Sequence, residues 1–241
     1  MVNGSDLDNE GWEKLQGLDT RLIISVNAIE KGEEACILDP QIQKRLLDRL
    51  DKALQFQPEG ILIDRLRFGG DCTDIRDEDI SKAHQVCQFC QGKDRVDTLT
   101  EFGKQLSKYV NGRSKLGIFA VAFKDDEAPK LGQVLGVNYS KLGKVFDLFS
   151  PMLYHQMLQK PVTYISDYTK WISEKTGKPI LPIIQIKNMP DDLEDNITEE
   201  EIAAAFNEAI KYPSEGICFF WWAHALEKNK TSIIGKLFCS H

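Results

Sequence analysis

The chain reads as an α/β protein, a (β/α) TIM-type barrel that is incomplete, with about six of the eight strands such a barrel needs. Three observations lead there. Short apolar runs alternate with helix-period amphipathic stretches along all 241 residues, the mark of parallel βαβ units. Acids, arginines and glycines follow directly on the central run, where α/β proteins build their sites. No Gly-x-Gly-x-x-Gly follows the first strand and no Walker loop occurs, so a nucleotide-binding doubly wound sheet has no support. One barrel-like domain is expected over 1–241, with a Cys-containing loop insertion at about 69–98.

In chain order, residues 1–10 read as loop, and Gly11 to Leu18 as a short helix with Trp12, Leu15 and Leu18 on one side. Arg21 to Ile29 is an apolar strand, buried on both faces. Asp39-Pro40 opens a helix, an acidic cap with proline in the first turn. Its stripe is Ile42, Leu46, Leu47, Leu50 and Leu54. Ile61-Leu62-Ile63, bounded by glycines, is a short buried strand. Leu99 to Val110 is a helix, Lys115 to Phe123 a strand, and Leu131 to Leu142 an irregular connection with helical character. Strands follow at Phe146 to Tyr154, Pro179 to Lys187 and Ile217 to Trp222. Between them lie a helix from Val162 to Lys175, stopped by Gly177, and one opened by the capping box of Thr198 and Glu201. Thr231 to Phe238 is a closing helix.

Composition excludes several classes. Apolar residues make up 42% and charged residues 28%, ordinary for a globular protein. The net charge of −7 is the opposite of a nucleic-acid footprint, and an anionic membrane surface would repel it. No apolar run approaches the ~18 residues of a membrane span. Localisation is left open.

The stretch from Gly60 to Gly70 organises the site. A carboxylate at the end of a buried strand, Asp64, is placed there for chemistry or to pair with a neighbouring arginine such as Arg67. The residues around it resemble a family of bacterial glycoside hydrolases with an amylase-type (β/α)8 barrel. Its motif D-Y-I-R-F-P matches Asp64-Arg65-Leu66-Arg67-Phe68, and its I-G-Q matches Leu131-Gly132-Gln133. Its D-x-I-S-P-M-x-Y matches Asp147 to Tyr154, followed by His155. Its P-W-L-Q matches Pro182 to Gln185, and its last strand matches Gly216 to Trp222. The chain departs from the family at Arg65 for Tyr, Gly69 for Pro, His155 for Pro and Trp222 for Asn. The resemblance implies an enzyme acting on a polysaccharide or oligosaccharide, with Asp64 as its main catalytic carboxylate. It also makes Arg21–Ile29 the third strand of the barrel, so a missing N-terminal barrel segment or a homo-oligomer is expected to cover the open edges.

Glycoside hydrolysis uses two carboxylates. The second is sought among Asp71, Asp74, Asp125, Asp126, Glu127 and Glu30, all near expected strand ends. Arg67 is expected to orient Asp64. Tyr154, His155 and Gln185 are candidate sugar contacts, and so are Trp221 and Trp222, whose opposite faces leave one free to stack on a sugar ring. Each has a bland counterpart: a satisfied histidine, a buried amide pair, a packed tryptophan. In the insertion, Cys72, His84, Cys87 and Cys90 have the make-up of a Cys3His structural zinc site, while a disulfide or reduced thiols explain the same spacing. Catalysis itself calls for no cofactor. The rival function is a non-catalytic carbohydrate-binding or interaction module, since a fold does not decide a function.

Overall fold

The computed structural model describes residues 2–3, 22–30, 36–68, 88–188, 195–220, 225–226 and 230–239. The helix expected at Gly11 to Leu18 falls outside them. The chain forms two compact units, Met1–Phe119 with Phe123–Leu148, and Ala120–Ala122 with Phe149–His241.

The first unit is built on a parallel sheet of four strands in chain order: β1 (Val2–Asn3), β2 (Ile23–Asn27), β3 (Gly60–Asp64) and β4 (Lys115–Ala120). The short β1 lies where the sequence suggests only loop. Ile61, Leu62 and Ile63 are completely buried, as an apolar run in a parallel sheet requires. Register pairs Ile24 with Ile61 and Val26 with Ile63 on one face, and Ser25 with Leu62 and Asn27 with Asp64 on the other. Gly117, in the middle of β4, has no room for a side chain. A Cβ there would meet the carbonyl oxygen of Leu148 at 2.6 Å and the Leu62 side chain at 2.9 Å.

Helix α1 (Pro40–Gln55) begins as its sequence dictates: Asp39 caps it by accepting the Gln41 N–H at 2.8 Å, with Pro40 in the first turn. Ile42, Leu46, Leu50, Ala53 and Leu54 face the core; Leu47 is only half-buried. Helix α2 (Arg95–Val110) starts four residues earlier than the apolar periodicity suggests. Asp94 caps it through the Asp97 N–H at 2.7 Å. Arg95, which its charge assigns to the loop, is 3% exposed. It donates to Val134 O at 2.5 Å and to Cys90 Sγ at 3.9 Å, and stacks 5.2 Å over the Phe68 ring. These contacts hold Phe68 and Cys90, which flank residues 69–87, at one buried point. The Leu131–Leu142 connection resolves into two short helices, α3 (Leu131–Leu135) and α4 (Tyr139–Leu142).

Of β5 (Leu148–Pro151), the residues from Phe149 on belong to the second unit, where parallel bridges run from Phe149 to Ile180 and from Met152 to Ile183. Strands β6 (Ile183–Gln185) and β7 (Cys218–Phe220) pair in parallel. All three β7 residues stay half-buried. Helix α5 (Tyr164–Thr176) ends at Gly177, in the left-handed conformation that favours glycine. Its tyrosines hold the segment after β4: Tyr164 donates to Ala122 O at 3.0 Å and Tyr168 to Val121 O at 2.7 Å.

The capping box opens α6 (Glu199–Ala209): Thr198 Oγ1 accepts the Glu201 N–H at 3.2 Å, and Glu201 accepts the Thr198 N–H at 2.8 Å. Thr198→Ala removes half of it and is expected to lower stability by about 1 kcal/mol, measured as a drop in the urea midpoint. The last helix, α7 (Thr231–Cys239), sets the Phe238 ring edge-on to Phe206 and Phe219, at 5.4 and 6.0 Å. Among the described residues no helix is long and apolar enough to cross a membrane.

Candidate functional site

In the first unit, Asp64 ends a completely apolar strand and is itself half-exposed. The chain turns sharply behind it. Arg65 adopts a left-handed backbone, φ 54°, sparsely populated for a residue with a side chain. That turn brings the Arg65 N–H to Asp64 Oδ1 at 2.7 Å and the Arg67 N–H back to Arg65 O at 2.8 Å. Phe68 then anchors the loop by donating to Leu135 O at 3.0 Å. Asp64 and Arg67 form no ion pair. Asp64 is oriented by its own backbone turn, and the expected orienting role of Arg67 has no contact behind it.

Across the strand pair, Ala28 N–H donates to Asp64 O at 2.8 Å, and Asn27 is the register partner of Asp64. Three residues beyond Asn27, Glu30 ion-pairs with Arg49 of α1. Arg49 also donates to Asn27 O at 2.7 Å, and Asn27 Nδ2 approaches Glu30 Oε2 at 3.4 Å. Sequence reasoning misses Asn27, although it carries the same signal as Asp64, a polar residue ending an apolar strand. Arg49 carries no signal: it lies on a charged helix, and only folding shows what it reaches.

Of the other acids considered, Asp125, Asp126 and Glu127 are exposed, and Glu127 accepts the Lys124 N–H at 3.0 Å within its own turn. Asp71 and Asp74 lie outside the described residues.

The second unit carries Tyr154, His155 and Gln185. Tyr154 is 6% exposed, its ring 5.3 Å from that of Phe220 at the end of β7. Gln185, 1% exposed, accepts the Met157 N–H at 3.3 Å and donates to Lys187 O at 3.0 Å. Its amide is thus joined to the chain's own backbone. His155 is 9% exposed, and its Nδ1 is buried without a hydrogen-bond partner among the described residues, which is uncommon for a native polar atom. Trp221 and Trp222 lie outside the described residues.

Burial pushes the His155 imidazole below its ordinary 6.5, with the Glu201 carboxylate opposing in part. A group that gains its proton less readily when folded weakens the fold in acid. Above pH 6.5 it is neutral in both states and has no effect; as pH falls from there toward the folded value, the unfolded chain takes the proton first. The melting temperature is therefore expected to fall between pH 7 and pH 5, and His155→Gln to flatten that slope. An identical slope in the variant would contradict this.

Of the four residues of the zinc reading, Cys72, His84 and Cys87 lie outside the described residues. The fourth, Cys90, is 2% exposed and sits against the Arg95 guanidinium. Among the described residues no group of three or more His, Cys, Asp or Glu is placed to hold a metal ion. An open concavity of about 630 Å³, lined by Gln105, Lys108, Tyr109, Asn111 and Arg113, lies at the C-terminal end of α2. It is at the opposite end of the strands from Asp64 and carries none of the site residues.

No family model matches the chain, and no curated protein matches it. Solved structures do. The glycoside hydrolase domain of PgaB (BpsB) from Bordetella bronchiseptica superposes with a TM-score of 0.62 at 12% identity, covering 89% of this chain and 74% of that one. A GH18 chitinase from Pseudoalteromonas aurantia gives 0.51 at 14% identity, covering 89% and 76%. The spore cortex-lytic enzyme SleL of Bacillus cereus gives 0.51 at 12%, covering 84% of this chain and 47% of that one. The chain shares its α/β fold with glycoside hydrolase structures.

Proposed function

We propose that the protein is a glycoside hydrolase of (β/α)-barrel architecture, acting on a polysaccharide or oligosaccharide, with Asp64 as its main catalytic carboxylate. The observation that carries the reading is Asp64 itself. It is a half-exposed acid at the C-terminal end of a buried parallel strand, oriented by a left-handed turn and outside any ion pair among the described residues. Its fold is shared with glycoside hydrolases. Arg67, Tyr154, His155, Gln185, Trp221 and Trp222 serve as sugar contacts in this reading, which rests in part on the motif resemblance to the amylase-type family. Hydrolysis adds water across the glycosidic bond: hydroxyl goes to the anomeric carbon, and a proton passes through a carboxyl group to the leaving oxygen. Two carboxyl groups and water are sufficient for that chemistry.

The test is release of new reducing ends from a panel of chitin oligosaccharides, xylan, cellulose and starch, with retention on each immobilised glycan measured alongside. Chitin comes first because one structural neighbour is a chitinase. Turnover on any member supports the enzyme. Retention without turnover on any of them assigns the fold to a carbohydrate-binding module instead.

A further inference from the structure

Resting on the hydrolase reading, we propose that Glu30 is the second catalytic carboxylate, partner to Asp64, with Asn27 and Arg49 as the residues that position it. Asn27 and Asp64 are direct partners on adjacent parallel strands, so their side chains leave the sheet on the same face, about 4.8 Å apart at the backbone. Asn27 Nδ2 approaches Glu30 Oε2 at 3.4 Å. Glu30 is therefore linked to Asp64 by one strand spacing and one asparagine amide. Glycosidases work with a pair of carboxyl groups about 5–9.5 Å apart, and Glu30 is the acid that the register partner of Asp64 contacts.

Arg49 supplies the rigidity. Its guanidinium donates to Asn27 O at 2.7 Å and pairs with Glu30, so one planar fork fixes the strand end and the carboxylate together. It projects from α1, a helix of 16 residues packed through five buried side chains. The Glu30 side chain remains 51% exposed and that of Arg49 26% exposed. An ion pair so open to water adds little to stability, and it leaves the carboxylate within reach of a ligand. Asp64 is fixed by the backbone turn at Arg65, and Glu30 by Arg49.

In the reaction, the protonated member of the pair gives its proton to the leaving oxygen as the bond to the anomeric carbon breaks. The ionised member takes the proton of the attacking water, or forms the bond to carbon that water then cleaves. Either way one water is consumed and the pair ends as it began.

The experiment compares wild type, Glu30→Gln, Glu30→Ala, Arg49→Lys and Asp64→Asn on the panel sugar that wild type cleaves. Glu30→Gln is expected to lower kcat by about 10²–10⁴-fold with KM little changed and the melting temperature retained. Azide, a small anion able to fill the gap, is expected to restore part of the Glu30→Ala rate. Arg49→Lys, which keeps the charge but loses the fork, is expected to lower kcat and not KM. The double variant Asp64→Asn, Glu30→Gln should be no slower than the worse single one, since the two acids act as a unit. If Glu30→Gln keeps within a few-fold of the wild-type rate while Asp64→Asn is dead, the inference is overturned and the hydrolase reading stands. If wild type cleaves nothing on the panel, the hydrolase reading fails and takes this inference with it.

Discussion

Asp64→Asn is expected to lower hydrolysis of the preferred glycan by about 10²–10⁴-fold while leaving both the fold and glycan retention intact. The substitution is nearly isosteric. Its amide oxygen can still accept the Arg65 N–H that Asp64 Oδ1 accepts at 2.7 Å, so the turn at Arg65 survives. The side chain is half-exposed and carries no ion pair among the described residues, so no buried charge is left unmatched there. What asparagine cannot do is lose or gain a proton at neutral pH, or attack an anomeric carbon. A loss of turnover with unchanged melting and unchanged retention therefore isolates the chemistry. Wild-type turnover in the variant would remove Asp64 as catalyst and leave its loop as an ordering device.

Gly117→Ala is expected to produce the largest loss of stability from a single methyl group. The added Cβ would lie 2.5 Å from Leu148 Cγ, 2.6 Å from the Leu148 carbonyl oxygen and 2.9 Å from Leu62 Cδ2. The Leu62 side chain can yield, but the backbone carbonyl cannot move without shifting the strand end that carries it. Overpacking of this kind costs about 1–3 kcal/mol, read as a fall of roughly 2–4 °C in melting temperature per kcal/mol for a domain this large. Gly235→Ala is the control. Gly235 lies inside α7, and a methyl added there would meet nothing within 4 Å, so alanine is expected to raise stability by about 0.5–1 kcal/mol. Opposite signs from the same chemical change would show that close approach, and not glycine content, governs β4.

Much of the architecture is legible because its causes are local. An apolar run between glycines announces β3, an acid before a proline announces α1, and Thr198 with Glu201 announces α6. These signals act within a few residues and survive any arrangement of the rest. Boundaries are less legible where a charged residue is buried. The start of α2 escapes the sequence because Arg95 reads as solvated until its partners Val134, Cys90 and Phe68 are known.

By itself, the sequence determined the alternation of strands and helices, the caps that delimit them, and Asp64 as the acid at the end of the central strand. Which groups surround that acid was decided by tertiary structure alone. Asn27 meets Asp64 through strand register, and Arg49 meets Asn27 and Glu30 from a helix about twenty residues away. The physical reason is one of range: hydrophobic period, capping and turn chemistry act between near neighbours in the chain. A hydrogen bond or ion pair instead forms between whatever groups the packed backbone brings within about 3 Å, and no local pattern records that meeting. The same holds for Gly117, whose need for a bare backbone is written by Leu148 and Leu62, and for Arg67, whose proximity in sequence to Asp64 produces no ion pair in space.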